Sequence, residues 1–110
     1  MAKLVEVRET VNTKELKWGH KVVGATAVQL TALEFEFTKG LLLRAPGSDD
    51  PTPNTNFIWV GGAGVTADSN VGTGGMPIAP GESINLPVND PTDVYVISDA
   101  ASQEIAWMGV

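Results

Sequence analysis

The sequence predicts an all-β protein: a single antiparallel β-sandwich, jelly-roll or Greek-key-like, with an N-terminal arm. Three observations carry this. The apolar period is two along most of the chain, as expected of strands with one buried face. Clusters of Gly, Pro, Asn and Asp recur at intervals of roughly ten residues and supply turns. Between the strands there is no ten-residue run of helix formers at a 3.6 period, so a parallel α/β fold, which needs crossover helices, is excluded.

The elements follow in order. Residues 1–19 form the arm: Leu4, Val5 and Val7 have strand character, residues 10–17 have mixed preferences, and the segment ends at Trp18-Gly19. The sandwich spans 20–110. Within it, 27–32 alternates as Val28, Leu30, Ala32 against Gln29 and Thr31, and Leu33-Glu34-Phe35-Glu36-Phe37 alternates strictly. Leu41, Leu43 and Ala45 oppose Leu42 and Arg44. Strands are also expected at 56–60, 83–88, 94–97 and 104–108, giving seven or eight in all. Turns are expected at 46–54, 61–64, 72–75, 80–81 and 89–93. Trp107-Met108-Gly109-Val110 ends within strand-like sequence, so the last residues are expected to be sheet.

Composition bounds the function. At 110 residues and 11.6 kDa the chain suits one core. Its mean hydropathy of +0.05 and lack of a long apolar run predict a soluble globular protein without a membrane span. Met1-Ala2-Lys3 leads into mixed charge without an apolar signal region, which predicts folding in the cytoplasm where the chain is made. The absence of cysteine removes disulfides, thiol catalysis and cysteine-ligated metals. The net charge of −6 is unevenly spread: residues 1–21 are net +2 and residues 22–110 net −8. Nucleic acid is not an expected partner, because an acidic body lacks the clustered bases that phosphate binding requires.

A search for chemistry returns little. The single histidine, His20, can neither build a multi-imidazole metal site nor anchor a relay unaided, and it has no assigned role. Glu34 and Glu36 share a face, as a catalytic carboxylate pair would, but solvated carboxylates opposite Leu33, Phe35 and Phe37 explain them better. Asp49, Asp50 and Asn54, or Asp90 and Asp93, could offer oxygen ligands to calcium, yet they lack the spacing of a calcium loop and fit Asx turns. Gly72-Thr73-Gly74-Gly75 lacks the Lys and the following helix of a phosphate cradle. Trp59 and Trp107 lie among apolar neighbours and are expected in the core rather than on a sugar-stacking surface. The expectation is therefore a non-enzymatic protein without cofactor or metal. The arm is either an ordinary edge strand plus loop or an extension that docks on another chain, in which case Lys3, Arg8, Lys14 and Lys17 are the charged contacts and Leu4, Val5, Val7 and Trp18 the apolar anchors.

Several segments, taken in order, carry a family resemblance. They are Ala27-Val28-Gln29-Leu30-Thr31, Lys39-Gly40-Leu41-Leu42-Leu43-Arg44-Ala45, Phe57-Ile58-Trp59-Val60-Gly61, Met76-Pro77-Ile78-Ala79-Pro80-Gly81-Glu82-Ser83-Ile84, Val94-Tyr95-Val96-Ile97 and Glu104-Ile105-Ala106-Trp107-Met108-Gly109. Over residues 22–110 the chain resembles small accessory virion proteins of tailed bacteriophages, of the capsid decoration and head-fibre kind. The resemblance implies a structural (cement) protein on the capsid exterior, with the major capsid protein as partner and a homotrimer as its assembly. The alternative it leaves open is a receptor- or glycan-binding module of a tail or fibre.

Overall fold

In the computed structural model, which describes residues 16–110, the chain forms eight strands in two four-stranded antiparallel sheets. The strands are β1 (Lys17–Val23), β2 (Val28–Gln29), β3 (Leu41–Arg44), β4 (Ile58–Gly61), β5 (Met76–Ile78), β6 (Ser83–Leu86), β7 (Tyr95–Ser98) and β8 (Gln103–Gly109). Sheet A runs β1-β8-β3-β6 and sheet B runs β2-β7-β4-β5. The chain changes sheet at every connection except β4 to β5, and this strand order is that of an eight-stranded jelly roll.

The core lies between the sheets. Leu41, Leu43, Ile105 and Trp107 point inward from sheet A, and Ile58, Val60, Ile78 and Val96 from sheet B; Val23, Leu30, Phe37, Ala45 and Val94 complete it. Turn chemistry sets the strand ends. Gly81 has φ +89°, Pro80 precedes it, and the Glu82 N–H donates to Ala79 O (2.9 Å), the arrangement of a type II turn. The Asp90 carboxylate caps a single 3₁₀ turn, Pro91–Asp93, by accepting from the Thr92 N–H and hydroxyl.

Polar side chains join the sheets at one end. Buried Asn54 donates to Glu104 O and accepts from Glu104 N–H, both at 2.8 Å, as a paired strand would. Gln103 accepts from the Thr55 and Asn56 N–H groups, and the Ser98 hydroxyl donates to Phe57 O. Each buried polar residue has partners, which removes the desolvation cost that an unpaired group would carry.

Several expectations are corrected. Residues 33–37 join neither sheet: they run extended across the sandwich end, where the Phe37 N–H donates to Asn89 O (2.7 Å). Phe35 and Phe37 pack on Trp107 with ring centroids 6.1 and 6.5 Å away, whereas Leu33 is 63% exposed, so the alternation at 33–37 reflects side-chain burial only at the two phenylalanines and without a ladder. The strand expected over 27–32 shrinks to Val28–Gln29. β1 and β5 were not expected as strands. β1 is hidden in the sequence because Lys17, Gly19 and Lys21 take its inward positions while Trp18 and Val22 point outward, reversing the usual polarity. β5 is a three-residue edge strand around Pro77, a residue that sheets admit at their edges.

Candidate functional site: the outer face of sheet A

Pairing register determines which side chains share the outside of sheet A, because directly opposed residues of antiparallel strands lie on one face. Trp18 opposes Met108, Met108 opposes Leu42, and Leu42 opposes Asn85. The next row is His20, Ala106, Arg44 and Ser83, followed by Val22 opposite Glu104. The first row is thus apolar across three strands. Trp18 is 67% exposed, Val22 64% and Met108 42%. Beside them Leu42, Arg44, Ala106, Trp107 and Met108 line a shallow concavity of about 170 Å³. Large apolar side chains clustered on an outer sheet face mark a surface suited to protein contact.

The adjacent residues Lys17 and Trp18, both expected to dock, point to opposite faces. Lys17 turns inward and sets its ammonium 5.3 Å from the Phe35 ring centroid, a cation–π contact. Trp18 stands outward at the corner where the chain enters the sheet. Gly19, the next residue, leaves room for the Trp107 indole, because a Cβ there would fall 2.8 Å from Cζ2. The other expected docking residues, Lys3, Leu4, Val5, Val7, Arg8 and Lys14, lie outside the described residues.

Sequence reasoning missed Leu42, Ala106, Met108 and Val22. The available signal was apolar character in both phases of one strand: Leu41-Leu42-Leu43 and Trp107-Met108 put apolar groups on both faces, which a sheet with a solvated outside does not need.

The acidic loops act as turns. The Asp50 carboxylate accepts from the Gly47 N–H (2.7 Å) and from Arg44 (2.9 Å), and these two, the backbone bond first, hold it below the usual carboxylate range. Asp90 is likewise lowered, chiefly by the Thr92 hydroxyl and then by its N–H. Among the described residues no group of three or more His, Cys, Asp or Glu side chains is placed to hold a metal ion. Glu34 and Glu36 are exposed. Gly61–Val65 and Gly72–Met76 border an open depression, and the hydroxyl of Thr73 on its lining lies 3.2 Å from that of Thr66.

Trp59 corrects another expectation. It is half-buried on the outside of sheet B instead of in the core, and its Nε1–H donates to Ser69 Oγ (2.9 Å). Trp107 is in the core as expected.

In comparisons with known proteins, no family model, no curated protein and no solved structure matches the chain.

Proposed function

We propose that this chain is a non-enzymatic structural protein of a virion: a decoration, or cement, protein that assembles as a homo-oligomer, with three copies favoured, on the outer shell of a tailed-bacteriophage capsid. The observation that carries an assembly role is the apolar row Trp18, Met108 and Leu42 on the outside of sheet A, which begins where the arm joins the sandwich. Such a row gains about 25 cal/mol for each Å² of apolar surface removed from water, so it favours a protein partner over solvent. Phage origin, the trimer and the major capsid protein as partner rest on the resemblance of residues 22–110. In this reading the arm residues Lys3, Leu4, Val5, Val7, Arg8 and Lys14 act with Trp18 in subunit and shell contacts, while Lys17 is turned inward onto Phe35. Repeating weak contacts around a closed ring gives the avidity that a lattice-binding protein needs.

The test is to mix the purified protein with isolated capsids and sediment them. Co-sedimentation that saturates at a fixed ratio to shell protein is the expected result. Retention on host cells or polysaccharide without binding to shells would replace this reading with the receptor-binding one.

A further inference from the structure

We infer that residues 1–15 of one copy dock across the outer face of sheet A of a neighbouring copy, covering Trp18, Val22, Leu42 and Met108. The inference rests on the homo-oligomer part of the proposal above and assigns the arm to subunit contact.

Three observations select this occupant. The first is area. Sheet A is four strands wide, about 19 Å at 4.8 Å per strand, and strands of four to seven residues run about 13–23 Å. The face therefore offers roughly 350 Å² in projection, well short of the about 800 Å² per partner of a standard interface. Two such faces pressed together would make a weak dimer, whereas an added extended segment enlarges the contact. The second is charge. Residues 16–110 hold Lys17, Lys21, Lys39 and Arg44 against ten carboxylates, a net −6, so two bodies repel each other. In residues 1–15, Lys3, Arg8 and Lys14 balance Glu6, Glu9 and Glu15, so this segment approaches the body without net repulsion.

The third is chain length and direction. Fifteen extended residues span about 50 Å, more than twice the width of the face. They contain no glycine and no proline, and Asn12 is the one strong turn former among them. Covering its own face would require the chain to reverse before β1; Lys14-Glu15-Leu16 supplies no turn chemistry, and a reversal at Asn12 leaves only residues 1–11 to return over the face. Continuing outward carries Leu4, Val5, Val7 and Val11 to the next copy, with the alternating apolar groups that an exposed apolar face accepts.

The absence of native cysteine makes the test free of background. Tagged full-length chains carrying Val5→Cys are mixed with untagged chains carrying Met108→Cys and mildly oxidised, without capsids; far-UV circular dichroism checks that both fold. The mixed disulfide is expected to exceed that of Val5→Cys with Asn70→Cys at least about tenfold, because docking raises the effective concentration of the pair to the millimolar range. Equal yields from the two pairings would overturn the inference. So would a chain carrying both Val5→Cys and Met108→Cys that closes on itself as a monomer, which assigns the face to its own arm. A second measurement uses the cysteine-free chain: Val5→Asp with Val7→Asp should lower the sedimenting mass and raise quenching of Trp18, read against a Trp18→Phe control. Unchanged mass and quenching count against the inference. Because no capsid is present, failure here is distinct from failure to bind shells.

Discussion

The two sheets of this sandwich turn very different outer faces to the surroundings. Sheet B is partly covered by its own chain: the 62–75 connection folds back, Ser69 accepts from Trp59 Nε1–H, and Val65 packs over Gly61, where a Cβ would meet its Cγ2 at 2.8 Å, while Phe57, its ring centroid 5.9 Å from that of Trp59, stays 45% exposed. On the same face Ile97, paired with Trp59, is only 9% exposed. Sheet A has no such cover among the described residues, and Trp18, Val22 and Met108 stand open. Each face carries a tryptophan, one tied down and the other bare. The difference teaches that an apolar outer face is not in itself a docking surface; it becomes a candidate when the chain places nothing over it.

Predictions that test this contrast can be ranked by size. Trp107→Ala sets the scale, because the indole fills the space over Gly19 and contacts Phe35 and Phe37. It should cost about 3–5 kcal/mol of unfolding free energy by urea denaturation, a large share of a small domain's stability. Gly74→Ala should disrupt the cover of sheet B, since a Cβ there would collide with the Asp68 carbonyl. The expected loss is about 1–3 kcal/mol, with a red shift of Trp59 fluorescence as Ser69 is displaced. An unaltered spectrum would mean that the cover does not hold Trp59.

Trp59→Phe keeps most of the ring area and removes the hydrogen bond to Ser69, for about 0.5–1.5 kcal/mol. Trp18→Ala should change the stability of the isolated subunit by no more than about 0.5 kcal/mol, because the side chain is largely solvated. It should nevertheless reduce association in sedimentation. If Trp18→Ala destabilised the subunit as much as Trp59→Phe, the contrast between the faces would fail.

The smallest effect concerns acid. Asp50 titrates below its ordinary 3.8 in the folded chain, held by the Gly47 N–H and Arg44. Its stabilising contribution is therefore complete above 3.8 and lost as pH falls through the lower folded value. Thermal melts taken from neutral pH to well below 3.8 should decline, and Asp50→Asn should flatten part of that decline. A variant with the same acid limb as the parent would assign the decline to other carboxylates, Asp90 first among them.

Much of the sandwich was legible because alternation and burial coincide in most strands. Leu41, Leu43 and Ala45 are inward and buried, as are Ile58, Val60, Ile105 and Trp107. The docking surface was only partly legible. Trp18 was identified from its place beside the arm, whereas Met108, opposite it, and Leu42, one strand further on, gain their meaning from sharing its row, 90 and 24 residues away in the chain.

By itself the sequence determined that this is one small antiparallel β-sandwich with turns at Pro80-Gly81 and at Asp90-Pro91, because alternation and turn chemistry act over a few residues. Only the tertiary structure decided the jelly-roll strand order, the removal of 33–37 from the sheets, and the outward turn of Trp18 with the inward turn of Lys17. Those outcomes depend on which strands become neighbours. β1 is a strand because β8 offers it seven residues of ladder and Gly19 makes room for Trp107, and no local propensity encodes a partner that lies more than eighty residues along the chain.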